Sequence, residues 1–276
     1  MRSLNCDIAK DPLRIYNFMQ QISKGSDGKM KNILITAGGT SEPIDEIRAI
    51  TNKSTGRLGS AIAHEFSLRE DVARIFYVHG KGAVLPEDAK IDLVPVRSTQ
   101  DVLDAMTEIL EKNDIDIIIH SMAISDYTTA SFTTLEDFLE LLAYNESETV
   151  DEVAEMLEKE DLRKKYTKLP SSIDKPLLML KKTPKVLSKL RGLAPEAAIV
   201  GFKLLDHVTH EELMRVAAEQ IEKNHTDFCL ANDYETVVSP VHVGFLLDKA
   251  GREIRFDGKE AIAKGIVSEL MGYERD

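Results

Sequence analysis

The chain has 276 residues, a formal net charge of −12 and no tryptophan. That length suits one large α/β domain or two small ones, and the acidic balance argues against general binding to DNA, RNA or anionic membranes. The few aromatic rings argue against a base-stacking nucleic-acid platform, and no apolar run is long enough to span a membrane.

Residues 1–30 stand apart as a leader or a docking helix, and the sequence leaves both readings open. Asp11 is placed to cap a helix with Pro12 at its first position, and Ile15, Phe18, Met19 and Ile22 share one face. "GSDGK" then breaks the pattern ahead of Met30.

From residue 31 strands and helices alternate. "NILITA" reads as a buried strand, followed by a long loop and a helix near 56–68 with Leu58, Ile62 and Phe66 in register. "ARIFYVHG" and "IDLVPV" read as the next strands, with Pro95 marking an end or an edge. A helix over 99–112 follows, and then "DIDIIIHSMA", whose continuous apolar run predicts a strand buried on both faces. Residues 131–167 interrupt the alternation with acid-rich helical sequence, a candidate lid or interface arm or simply a solvated hairpin of helices.

"PLLMLKK" then resumes the alternation as a short strand, and Pro184 starts a helix. "AAIVGFKLL", a helix over 209–223, "DFCLAND", a strand–turn–strand ending near "REIRF" and a helix carrying Ile262, Ile266 and Leu270 complete the chain. The pattern predicts one α/β domain over 31–276. Its fold is a Rossmann-like, doubly wound, mostly parallel sheet with a helical insertion at 131–167 and a C-terminal hairpin. Cys6 and Cys229 show no metal-site spacing, and the amino terminus has no signal-peptide core, so a reduced, cytoplasmic setting is expected.

The candidate chemistry follows strand ends. In "ITAGGTSEPID" the pair Gly38-Gly39 fits neither GxGxxG nor a Walker loop. It reads either as a tight turn or as backbone N–H groups presented, with Thr40, to a phosphate or carboxylate. "RAITNKSTGRLGSAIA" places Asn52, Lys53, Ser54 and Thr55 before a helix, with Gly56 and Gly59 permitting close approach and Arg48 and Arg57 offering cationic forks. The alternative there is an ordinary helix start with solvated arginines.

After the fourth strand, Asp126 could accept from a ribose hydroxyl or base amine, order magnesium water, or cap a helix, while His120 reads as a core residue. Basic stretches around Lys164, Lys165 and Lys168 and around Lys181, Lys182 and Lys185 could neutralise a polyphosphate. Lys203 follows a buried strand, where a phosphate partner or snorkelling to solvent would each account for it.

In this order "TAGGTSEPID", "RAITNKSTGRLGSAIA", "MAISDY", "KLPSS", "VGFKLL" and "LAND" resemble the phosphopantothenate–cysteine ligase family over roughly residues 31–272. The resemblance implies a Rossmann-like homodimer with 4′-phosphopantothenate, L-cysteine and a nucleotide triphosphate as partners, and with magnesium. The acid would be activated as an acyl-nucleotide, by CTP or, as in the eukaryotic branch, ATP. It implies that Asn52 holds the acyl carboxyl, that Arg48 reaches the substrate phosphate across the dimer, and that Ala123 and Asp126 contact substrate and nucleotide. Lys168 would act on the nucleotide in catalysis, and Lys181, Lys182, Thr183, Pro184, Phe202 and Lys223 would contact it; no magnesium ligands are assigned.

The chain departs from the family in "MAISD" for "AAVAD", in Glu219 where many bacterial members have lysine, and in Lys203 where they have alanine. "KLPSS" and "GFKLL" are closer to the eukaryotic branch. A nicotinamide-dependent oxidoreductase on the same fold is the competing enzyme class, but it calls for a Tyr-x-x-x-Lys pair. Tyr127 is followed at that spacing by Ser131 and Tyr166 by Pro170. A module that kept the fold and lost its chemistry is the non-enzyme reading; the joint presence of Asn52, Asp126 and Lys168 argues against it.

Overall fold

The computed structural model describes residues 30–144, 149–238 and 242–274, so the helix read within residues 1–29 lies outside the described residues. Twelve strands and eight helices follow one another there. The strands β1 (Lys31–Ala37), β4 (Val72–His79), β5 (Ile91–Pro95), β6 (Ile117–His120), β9 (Ala198–Leu205) and β10 (Phe228–Asp233) run parallel. β11 (Val243–Asp248) and β12 (Glu253–Asp257) add an antiparallel hairpin, giving one eight-stranded sheet in the order β12-β11-β10-β9-β6-β1-β4-β5. Among the parallel strands this is the doubly wound order, in which the chain works outward from β1 in one direction and then in the other. The reversal falls between β1 and β6, so the loops leaving those two strands part there and open a crevice at the carboxyl edge.

The alternation of side chains sorts the two faces. Ile33, Ile35 and Ala37 of β1 face a core completed by α1 (Arg57–Ser67) and α8 (Lys259–Met271), while Leu34 faces a core completed by α2 (Thr99–Lys112) and α5 (Val186–Leu193). α6 (His210–Asn224) covers β10 with Leu213, Ala217 and Ile221 against Cys229 and Ala231. Burial pushes the Cys229 thiol up to about 12, so it is a protonated packing group, although nearby Lys203 acts in the opposite direction. His120 is buried with its Nδ1 3.0 Å from the Thr36 hydroxyl, and burial lowers its pKa to about 4, which makes it the core residue expected.

Two expectations need correction. "PLLMLKK", β8 (Pro176–Lys182), does not rejoin the main sheet but pairs antiparallel with β7 (Tyr127–Thr134) in a separate two-stranded arm. The segment read as helical from 131 therefore begins inside a strand, and its helices are α3 (Leu135–Tyr144) and α4 (Val150–Lys159). The long loop after β1 contains a further small hairpin, β2 (Ser41–Pro43) with β3 (Ala49–Thr51). Among the described residues no helix is long and apolar enough to cross a membrane.

Candidate functional site

The chain leaves β1 through Gly38 at φ 84°, a left-handed conformation that favours glycine. Gly39 bridges Ala123 across the crevice, and Thr40 donates its amide to the Ala123 carbonyl at 3.1 Å. A side chain at Gly39 would put its Cβ 2.2 Å from the Asn52 carbonyl oxygen, and one at Gly80 would put it 2.2 Å from the Gly39 carbonyl oxygen. The close approach these glycines permit is therefore one between loops of the protein itself. Thr40 is fully buried and its hydroxyl accepts the Ser125 amide at 2.8 Å, so the hydroxyl fixes the 121–126 loop from beneath.

Asn52 lies directly over that loop and donates one amide hydrogen to the Ile124 carbonyl at 2.9 Å. Beyond it, Lys53, Ser54 and Thr55 are exposed, and Gly56 starts α1 in a left-handed conformation with no side-chain cap and no acid in the first turn. The first amide groups of α1, with Arg57 exposed beside them, make an electropositive terminus at the crevice. Gly59 serves packing, since a Cβ there would come 2.6 Å from that of Ala37.

On the other side of the crevice the turn joining β8 to α5 docks against the 121–126 loop. The Thr183 amide donates to the Asp126 carbonyl at 3.1 Å, and its hydroxyl donates to the Ser125 carbonyl at 2.5 Å. This brings the backbone of residues 181–184 alongside Asp126 and the start of β7. It also reveals Lys185, whose ammonium pairs with the Asp126 carboxylate. Lys185 belonged to a basic stretch noticed in the sequence, but nothing local distinguished it from the other lysines.

Asp45 ties Arg48 to Leu169, the chain neighbour of Lys168. The Asp45 carboxylate accepts Arg48 Nη2 at 2.6 Å and the Leu169 amide at 3.1 Å, while Arg48 Nη2 also donates to the Leu169 carbonyl at 2.8 Å. Burial would raise the Asp45 pKa, but the side-chain and backbone hydrogen bonds from Arg48, with those of Ile47 and Leu169, outweigh it and hold the carboxyl well below the usual range. Lys168, next in the chain to Leu169, is exposed.

The last β6–β9 pair is His120 with Gly201, so Phe202 and Lys203 extend past the end of β6 toward the same edge. Lys203 makes no ion pair among the described residues, and the same holds for Lys53, Arg57, Lys168, Lys181 and Lys182. Lys223 is not brought to this group. It stands in the last turn of α6, beside the Asp227 amide that meets the Ile199 carbonyl at the amino-terminal edge of the sheet. The reason is topological: a helix that follows a parallel strand carries its far end back to the strands' starts.

A cavity of about 390 Å³ lined by Asp45, Arg97, Lys164, Lys165 and Thr167 adjoins the Arg48 turn. A cavity of about 600 Å³ between α2 and α5 contains none of the candidate residues. No three His, Cys, Asp or Glu side chains are grouped to hold a metal among the described residues. The Asp126 carboxylate stands at this edge, paired with Lys185.

The model of the DNA/pantothenate metabolism flavoprotein C-terminal domain matches residues 28–135. The coenzyme A biosynthesis bifunctional protein CoaBC of Thermococcus kodakarensis is 29% identical over 203 residues, which cover 73% of this chain and 41% of that protein. The chain thus spans less than half the length of the curated relatives it matches. The solved structure of the DNA/pantothenate metabolism flavoprotein from Streptococcus pneumoniae is 32% identical, with a TM-score of 0.76 over 89% of this chain and all (100%) of that one. A Cab2 mutant in complex with phosphopantothenate-cysteine shares the fold at 18% identity, with a TM-score of 0.62 over 95% of this chain and 93% of that one. The chain belongs to the family of the DNA/pantothenate metabolism flavoprotein C-terminal domain, the phosphopantothenate–cysteine ligase family that its motifs resemble.

Proposed function

We propose that the chain joins 4′-phosphopantothenate to L-cysteine in coenzyme A biosynthesis, through an acyl-nucleotide intermediate. CTP is the proposed activating nucleotide, with ATP as the alternative co-substrate, and magnesium enters with the triphosphate. The observation that carries this reading is the convergence of Asn52, Ala123, Asp126 and the 181–185 turn on the crevice between β1 and β6. Open α/β sheets take ligands at such a crevice.

The reaction must bring a carboxylate against a triphosphate, two anions that repel. A carboxylate oxygen is a poor leaving group, so it must first be transferred onto the α-phosphorus with loss of pyrophosphate; the amine of cysteine then displaces the nucleotide monophosphate. Asn52 retains a second amide hydrogen for the acyl oxygen as charge develops there. The amino terminus of α1 and the lysines without ion-pair partners offset phosphate charge, and the loops fix both reactants in one place. We further propose a homodimer: the arm carries Leu139 and Leu142 on an exposed helix surface, apolar area suited to contact with a second copy.

Pyrophosphate release from CTP or, separately, ATP tests the reaction, with magnesium and with 4′-phosphopantothenate present or omitted. Release that requires the pantothenate compound, followed by amide formation on adding cysteine, is expected. Its absence with both nucleotides overturns the reading. Sedimentation of the purified chain at twice its monomer mass is the expected sign of the dimer.

A further inference from the structure

Glu42 and Asp45 have no part in the proposed reaction, yet both are nearly withdrawn from water. Glu42 is 3% exposed and the Asp45 side chain 1%. Carboxylates persist in such places only when hydrogen-bonded or ion-paired, and here each is bonded to a different part of the molecule. Glu42 Oε1 accepts both the amide and the hydroxyl of Thr99, each at 2.7 Å, at the first turn of α2. Its charge there favours the helix amino terminus. The Ser125 carbonyl, 3.4 Å from the Thr99 hydroxyl oxygen, receives the Thr183 hydroxyl.

Asp45 faces the other way. Its Oδ1 takes the amides of Ile47 and Arg48 at 2.9 and 2.7 Å, which closes the turn between β2 and β3. Its Oδ2 takes the Arg48 guanidinium and the Leu169 amide, which fastens that turn to the strand of chain bearing Lys168. A second tie, from the Glu46 amide to the Thr167 carbonyl at 3.2 Å, runs parallel to it. The hairpin held between these two carboxylates has strands of only three residues each, too short to keep a register unaided, and it carries Arg48 at its turn and Asn52 at its exit.

We propose that Glu42 and Asp45 are positioning residues that anchor the β2–β3 hairpin at two points, Glu42 to the start of α2 and Asp45 to the 167–169 segment, so that Asn52 and Arg48 are aimed at their substrate groups. The kinetic part of this inference rests on the reaction proposed above; the anchoring itself does not.

The test combines steady-state kinetics with amide hydrogen exchange on Glu42→Ala, Glu42→Gln and Asp45→Asn. Asp45→Asn raises KM for 4′-phosphopantothenate on the order of tenfold with kcat little changed, the usual scale of a lost charge-assisted hydrogen bond. Glu42→Ala lowers kcat on the order of tenfold by releasing Asn52, and Glu42→Gln, which keeps an acceptor for Thr99, restores most of it. In Glu42→Ala and Asp45→Asn the amides of residues 41–52 exchange faster while those of β9 and β10 keep their protection. Wild-type constants in both Glu42→Ala and Asp45→Asn overturn the inference, as does a fall in Tm with normal constants per folded molecule. Should the unaltered chain release no pyrophosphate, the reaction fails alone, and exchange decides the anchoring: unchanged rates at 41–52 overturn it.

Discussion

The two edges of the central sheet are built from the same alternation of strand and helix, and they use charge in opposite ways. At the amino-terminal edge, charge is matched. Asp227 accepts Arg191 Nη2 at 2.7 Å, the Ile199 amide at 2.8 Å and the Tyr273 hydroxyl at 3.1 Å, while Arg191 also donates to the carbonyls of Ala197 and His225. At the carboxyl-terminal edge, Lys53, Arg57, Lys168, Lys181, Lys182 and Lys203 make no ion pair among the described residues, and α1 begins without a side-chain cap. In a chain of net charge −12 these six cations stand near where the loops part. The amino edge uses its polar groups to hold the fold, whereas at the carboxyl edge Glu42 and Asp45 hold the loops and these cations remain without an ion pair.

That contrast can be broken by making changes at each edge and asking whether stability or kinetics responds. The largest effect expected is at the amino edge. Asp227→Ala strands Arg191, whose side chain is 15% exposed, and should cost about 3 kcal/mol or more of unfolding free energy in urea titration, with kcat and KM unchanged below the new Tm. A kinetic defect in the folded variant would erase the distinction between the edges. Next is Asn52→Ala, for which a fall in kcat of about a hundredfold is expected, the scale of losing one transition-state donor, with nucleotide affinity and Tm retained.

Third is the pH response of the core between the edges. Burial depresses His120 from 6.5 to about 4, so the unfolded chain binds its proton first as pH falls. Stability from this group is intact above about pH 6.5 and is lost progressively down to about pH 4, about 2 kcal/mol of it by pH 5. His120→Gln should flatten that part of the stability–pH curve; an unchanged slope would remove His120 as its source. The smallest kinetic effect is that of Arg48→Ala, which should raise KM for 4′-phosphopantothenate by about tenfold and lower Tm, because the Asp45 carboxylate loses its guanidinium partner.

Much of the central sheet was readable because its signals are local. Continuous apolar runs mark β1, β6 and β9, and the 99–112 periodicity meets α2 at its observed bounds. Pairing partners are not local. Nothing within "PLLMLKK" says that Leu180 will lie opposite Thr129 rather than beside a strand of the main sheet. The β2–β3 hairpin escaped notice because three-residue strands cannot display an alternation. At the site, residues in glycine-rich and polar motifs were found, whereas Lys185 declares itself only through Asp126, 59 positions away. Lys223 sits in a motif whose residues do not reveal which way α6 runs.

The meeting of Gly39, Asn52 and Gly80 through main-chain atoms sets a limit on how this protein can change. Two of the three contacting positions have no room for even a methyl group, and the third contributes a carbonyl common to every amino acid. A side chain at Gly39 or Gly80 would have to force these loops apart, whereas the side chains that ring this knot can change without moving it.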